Sequence, residues 1–338
     1  MRYNKNMSGV HKGTLLLLLV MFLLAPVSTH AQLPPEVGSS LVVRYSPEFP
    51  KPGQEVRITV ESFSIDLNQA TISWFVDKTL RRQGAATKEF TFTVGPLGSE
   101  STIDVTAGTG DGVTVGERIV FRPTNVDLLW QAQSFVPPFY SGKALPTASG
   151  SITVEAVPNF VISGKRLSPD TLIYTWKYNE KVAQSASGKG KRSLTITDLK
   201  PERTSIVDVE IASPDRSLVG TERLVLPLAK PKVIVYEDYP LLGTLFNRSV
   251  RDSFFLAVNE TRFIAYPYFM SLRSRNDTNL EYLWHIDQSE VALGEDPSSI
   301  TVSHEGDGEG NARVTVSIQN LRNIFQQAEK SFTVQFGR

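Results

Sequence analysis

In Glu55-Val56-Arg57-Ile58-Thr59-Val60 every second side chain is aliphatic, the two-residue period of a strand that buries one face. Further short apolar or alternating runs follow at Leu41–Tyr45, Phe90–Val94, Thr102–Thr106 and Glu117–Phe121. They return at Val126–Trp130, Ser151–Val157, Leu194–Ile196, Val207–Ile211 and Thr221–Leu226. The last set covers Lys232–Tyr236, Phe254–Val258, Thr261–Ala265, Ser299–Val302, Ala312–Ile318 and Lys330–Phe336. Turn formers separate the runs, as in Thr109-Gly110-Asp111-Gly112 and Ser213-Pro214-Asp215. No long segment of 3.6-residue period interrupts them, so the pattern predicts an all-β chain.

Three strands carry a tryptophan at the centre: Ile72-Ser73-Trp74-Phe75-Val76, Tyr174-Thr175-Trp176-Lys177-Tyr178 and Tyr282-Leu283-Trp284-His285-Ile286. Their tryptophans stand 102 and 108 residues apart, about one antiparallel sandwich each, which predicts three copies of one unit. A glutamate followed by a basic residue recurs 43, 46 and 45 residues after the tryptophans, at Glu117, Glu222 and Glu329. Pro123 and Pro231 mark the joins, giving units at 37–123, 124–229 and 230–338. Trp74, Trp176 and Trp284 are read as core residues, each burying roughly 200 Å² for about 5 kcal/mol.

The second and third copies differ from the first. Trp130 and Tyr236 precede the core tryptophan by 46 and 48 residues, whereas Tyr45 precedes Trp74 by only 29, so about 18 residues are inserted. The insertions are apolar: Phe135-Val-Pro-Pro-Phe139-Tyr140-Ser-Gly-Lys in one, Tyr239-Pro-Leu-Leu-Gly-Thr-Leu245-Phe246-Asn-Arg in the other. Each is followed by a related run, Ala156-Val-Pro158-Asn-Phe160 or Ala265-Tyr-Pro267-Tyr-Phe269. Such surfaces either cover an open end of a sandwich or make a contact with another domain or a partner. Phe135, Phe139, Tyr140, Leu245 and Phe246 are the candidate contact residues.

The N-terminus has its own layout. Arg2, Lys5 and Lys12 precede the apolar run Thr14–Val27, and Ser28-Thr29-His30-Ala31 offers a cleavage site before Gln32. This reads as a signal peptide over residues 1–31, too short an apolar run for the roughly 20 residues of a membrane span. An uncut anchor is the alternative. Removing it leaves 32 basic against 35 acidic residues, about −3, and no electrostatic footprint for nucleic acid. The chain has no cysteine, so apolar packing alone holds each domain, and a bacterial source is favoured for an exported protein built this way.

Trp176-Lys-Tyr-Asn-Glu and Trp284-His-Ile-Asp-Gln resemble the core strand and turn of tandem immunoglobulin-like and PKD-like modules of bacterial exported proteins. The resemblance covers nearly all of the mature chain. The glycine and aspartate turn usual after the tryptophan in PKD modules is missing. The paired insertions are similar to those of uncharacterised exported proteins of candidate-phyla bacteria. The resemblance implies three tandem immunoglobulin-like antiparallel β-sandwiches and association with the cell surface or envelope, with no activity attached.

Chemistry is sparse. The mature chain has two histidines, His285 and His304, and lacks G-x-S-x-G, S-x-x-K and H-E-x-x-H motifs. No catalytic, cofactor-binding or metal-binding residue is assigned and no cofactor is expected. The run His304-Glu305-Gly-Asp307-Gly-Glu309-Gly-Asn311 has oxygen ligands suited to calcium, but a solvated hairpin turn explains it equally. The expected function is a non-enzymatic spacer or docking rod of the envelope: periplasmic, cell-surface or extracellular, with surface proteins or glycans as partners. Membrane attachment would come only through an uncut leader. The alternative is an adhesin using the insertions, and a more remote one is a glycan-processing enzyme.

Overall fold

The computed structural model describes residues 41–200, 204–306 and 308–337. The expected signal peptide lies outside the described residues.

The first sandwich contains β1 (Leu41–Ser46), β2 (Glu55–Ser62), β3 (Thr71–Val76), β4 (Thr79–Ala85), β5 (Glu89–Thr93), β6 (Ser101–Gly108) and β7 (Thr114–Phe121). They form two antiparallel sheets, β1-β2-β5 and β4-β3-β6-β7. The alternation seen in β2 is realised: Val56, Ile58 and Val60 are buried against Ile72, Trp74, Ile103 and Val105 of the facing sheet. Three strands packed on four in this order is the immunoglobulin-like arrangement. β4 has no apolar period in sequence because it is an edge strand with no buried residue; Arg81 and Arg82 keep that edge wet.

The second sandwich repeats the order. Its strands are β8 (Asn125–Ala132), β9 (Ile152–Asn159), the short hairpin β10 (Val161–Ile162) and β11 (Lys165–Arg166), and β12 (Ile173–Tyr178). β13 (Lys181–Val182), β14 (Gly188–Lys189), β15 (Ser193–Ile196), β16 (Ile206–Ala212) and β17 (Val219–Val225) complete it. One sheet is β8-β9-β15; the other is β12-β16-β17 with β13 and β14 along the outer edge of β12.

The third contains β18 (Lys232–Tyr239), β19 (Gly243–Ser249), β20 (Ser253–Leu256), β21 (Glu260–Tyr268) and β22 (Leu280–Ile286). Next come β23 (Ser289–Glu290), β24 (Ser299–Ser303), β25 (Gly310–Asn320) and β26 (Gln327–Phe336). Its sheets are β19-β18-β21-β24 and β20-β26-β25-β22-β23, with β20 running parallel to β26. The chain is thus all-β, with tandem immunoglobulin-like sandwiches each built on a separate core.

Trp74, Trp176 and Trp284 have no solvent exposure and stand one in each core. Burial obliges each indole N–H to find an acceptor. Trp74 donates to the Thr87 carbonyl at 2.9 Å, Trp176 to Lys191 at 2.8 Å and Trp284 to Pro297 at 3.1 Å. Three residues after each tryptophan stands an Asp or Asn in left-handed backbone: Asp77, Asn179 and Asp287. Its side-chain oxygen accepts from the backbone N–H of Thr102, Ile206 or Arg313, at 2.8, 2.8 and 2.9 Å. This short Asx clamp stands where the PKD-type turn is missing. It ties the hairpin after the tryptophan strand to the neighbouring central strand.

The glutamate landmark is not equivalent throughout. Glu117 and Glu222 lie on the cross-strand rows of Trp74 and Trp176, through Val105 and Val209. In the third copy that row runs Trp284, Val316, Lys330, and Glu329 sits one position off, on the opposite face.

Candidate functional site

The two insertions do not form matching structures. In the second sandwich the stretch after β8 stays irregular through Pro137-Pro138, which remove two ladder donors. It is held back on its own domain by Ser134 Oγ, which donates to the Leu145 carbonyl at 2.7 Å, and by Lys143, whose Nζ sits 3.4 Å from the Trp130 ring centre. A Cβ at Gly142 would come 2.4 Å from the Tyr140 hydroxyl, so a larger residue there would displace the Tyr140 ring. In the third sandwich the insertion closes into a hairpin, with β19 added as an edge strand beside β18 and Gly243 in left-handed backbone (φ +69°) at the turn.

The two insertions meet. Tyr236, Ile264, Tyr266, Tyr268 and Phe269 of the third sandwich form a buried cluster of their own, against which Phe135, Val136 and Leu145 of the second sandwich pack. Phe246 stands in this seam, edge-on to Tyr236 at 5.2 Å and to Tyr266 at 5.1 Å. The Tyr236 and Tyr268 hydroxyls share a hydrogen bond of 2.6 Å. Burial, and then that bond, pushes the Tyr268 phenol well above its ordinary value. Backbone joins the domains too: Phe135 N–H donates to the Met270 carbonyl and Phe269 N–H to the Phe135 carbonyl, both at 2.8 Å.

Of the residues singled out in the sequence, Phe135, Leu245 and Phe246 are half-buried. Phe135 and Phe246 pack within the chain, against the aromatic cluster of the seam. Tyr140 lies edge-on to Tyr268 at 5.6 Å and is 37% exposed, at the border of the seam. Phe139, in left-handed backbone (φ +64°), reaches Phe246 at 6.1 Å yet is 88% exposed. Leu241 and Leu242 at the β18–β19 turn are also exposed, at 89% and 72%. The related runs diverge as well. Phe160 turns into the core of its own sandwich, whereas Phe269 turns into the seam.

Gln326, on the β25–β26 turn, is the joining residue that sequence reasoning missed. It is fully buried, and its amide N–H groups donate to the Ala148 carbonyl of the second sandwich and to Ser271 Oγ, both at 2.9 Å. Its Oε1 accepts from Ser271 N–H at 2.8 Å and from Asn320 Nδ2 at 2.9 Å. All its hydrogen-bonding capacity is thereby spent. A lone glutamine in a polar turn carries no periodic signal, so nothing in the sequence marks it.

Beside Gln326 the two sandwiches leave an open cleft of ≈460 Å³. Gln131, Gln133 and Asp198 line it from one side and Arg273, Asp277 and Arg322 from the other. Asp277 is held below the usual carboxylate range by the Asn279 backbone N–H and side-chain amide, and Asp198 by its bond to Lys200.

The acidic run at 304–311 brings no cluster together: among the described residues no three His, Cys, Asp or Glu side chains converge as metal ligands, and Asp307 lies outside them. Among the described residues, no helix is long and apolar enough to cross a membrane.

No protein-family model matches the sequence, and neither does any curated protein. Solved structures similar to the chain include the three N-terminal domains of the highly immunogenic outer capsid protein of bacteriophage RB49, with 13% identity, 89% of this chain and 99% of that one covered, and a TM-score of 0.27. The central fibronectin-III array of RIM-binding protein aligns at 14% identity over 89% of this chain and 100% of that one, with a TM-score of 0.28. A Bacteroides ovatus mixed-linkage glucan utilization locus protein, SGBP-B, aligns at 13% identity over 88% and 70%, with a TM-score of 0.22.

Proposed function

We propose that the protein is a non-enzymatic, exported arm of the cell envelope, a spacer or protein-docking rod whose second and third sandwiches move as one body. The observation that carries this reading is the aromatic seam. The largest apolar insertions of the chain contribute to domain-to-domain packing around Phe246, so sequence beyond the minimal sandwich has gone into stiffness. Strands of eight to ten residues at about 3.4 Å each give a module of roughly 30 Å, and three in a row give on the order of 100 Å. An adhesin that used the insertions would retain the outward Phe139, Tyr140, Tyr239, Leu241 and Leu242. Hydrolysis of a glycan needs one carboxyl held protonated near neutral pH, and the carboxyls of Asp198 and Asp277 are both pushed the other way.

The absence of cysteine makes the mechanical part directly measurable. Spin labels at Thr79→Cys, Lys181→Cys and Glu290→Cys report one exposed position in each sandwich. A narrow distance distribution between the second and third labels and a broad one between the first and second is expected; equal widths overturn the arm. Export is read separately, by fractionating native cells: a chain beginning at Gln32 outside the cytoplasm is expected, and an intact Met1 in the cytoplasm refutes it.

A further inference from the structure

The cleft beside Gln326 has more polar capacity than the fold needs. Among the described residues, the side chains of Gln131, Gln133, Arg273 and Asn323, which line it, make no hydrogen bond or ion pair. Arg322 acts on Asp277 only through its charge. The lining therefore offers amides that both donate and accept, guanidinium groups that donate, and the carboxylates of Asp198 and Asp277, which accept. Its charges cancel, two aspartates against two arginines.

The walls that carry these groups are held in place. Gln326 and the Phe135 backbone bonds fix the two walls relative to each other, so a ligand would meet a preformed cleft. Its ≈460 Å³ lies within the roughly 300–1,000 Å³ of small-molecule sites.

The geometry points to a binding site for a short neutral oligosaccharide in this cleft between the second and third sandwiches. Vicinal hydroxyls both donate and accept, and they match planar amide, guanidinium and carboxylate groups without needing a net charge. The cancelled charge disfavours a phosphate or polyanion. An extended peptide draws affinity from side-chain pockets, and the only apolar side chains among the lining are Ala132 and Leu272. This inference goes beyond the arm reading and stands or falls independently of it.

The test is calorimetric titration of the mature chain with maltohexaose, cellohexaose, laminarihexaose and chitohexaose, and with a neutral Gly-Ser hexapeptide. Binding of at least one sugar is expected, little changed by 0.5 M NaCl. The double variant Gln133→Ala/Arg273→Ala should weaken it at least tenfold, with a melting temperature as in the wild type. No sugar binding at millimolar concentration overturns the proposal. So does binding that this variant leaves intact, or binding of the peptide alone.

Discussion

The joint between the first and second sandwiches and the joint between the second and third use opposite chemistry. At the first, three residues, 122–124, separate β7 from β8. Among the described residues, a Lys51–Glu222 ion pair and the close approach of Gly98 to Val161 join the two sandwiches there; a Cβ on the glycine would fall 2.7 Å from Val161 Cγ1. At the second, an aromatic cluster, a pair of backbone hydrogen bonds and the buried Gln326 act together. The first copy lacks the insertion that lets the second reach forward to its neighbour. Like domains in a row therefore do not make like joints; apolar contact between domains follows the insertions.

The largest break in this comparison comes from removing a core. Trp176→Ala deletes a fully buried indole and strands the Lys191 carbonyl, with an expected cost of about 3 to 5 kcal/mol. The second sandwich should then melt early. The third should lose stability with it because the seam loses one wall, while the first keeps its transition. Calorimetry resolving the transitions checks this, and an equal fall in the first would show that the thin joint transmits stability after all.

Phe246→Ala cuts the seam without touching any of the three cores. Its half-buried ring loses contacts with Tyr236 and Tyr266, at an expected cost of about 2 kcal/mol. The sharper readout is decoupling. The second and third sandwiches, which should melt together in the wild type, should melt separately in the variant; a single shared transition in both would show that Gln326 and the backbone bonds suffice.

How much of this was legible in the sequence depends on periodicity. The tryptophan strands, and β2 with its Val56-Ile58-Val60 face, announce themselves because one face is buried and the other is not. β4 does not, because an exposed edge strand has no such alternation. The insertions were recognisable as apolar excess, and Phe246 was singled out on that ground alone. That they pack on each other, and that Phe160 and Phe269 turn opposite ways from similar motifs, depends on contacts between distant segments. Composition marks a sticky surface without saying what sticks to it. The cleft is still less legible: its lining is drawn from separated turns of ordinary polar composition.

Alkaline pH should separate the regions more gently. Burial raises the phenols of Tyr268 and Tyr282 and pushes Tyr174 up to about 12. In the unfolded chain these groups ionise near pH 10. Above that the unfolded state holds fewer protons than the folded one, so stability is fully present below about pH 10 and falls as pH rises toward the folded values. The second and third sandwiches should weaken between about pH 10 and 12. The first sandwich, whose core holds no tyrosine, lacks this source of alkaline loss. Tyr268→Phe should reduce the loss at the seam and leave that from Tyr174 and Tyr282. A first sandwich that weakens in step with the others would require a different source of the alkaline transition.

The smallest effect expected is that of Lys51→Ala. The lysine side chain of the Lys51–Glu222 pair is 48% exposed and that of the glutamate 24%, so water and salt screen the attraction, and losing it should cost no more than a few tenths of a kcal/mol. Melting should be unchanged. What should change is orientation, because among the described residues this is the ion pair spanning the first joint: distances between labels in the first and second sandwiches should broaden at low salt. In wild-type protein, 0.5 M NaCl should broaden the same distribution, and the variant should be indifferent to the salt. The distance across the aromatic seam should respond to neither, since apolar packing is not weakened by screening. A salt-sensitive second joint, or a first joint as narrow in the variant as in the wild type, would mean that the contrast between the two joints lies elsewhere than in polar against apolar contact.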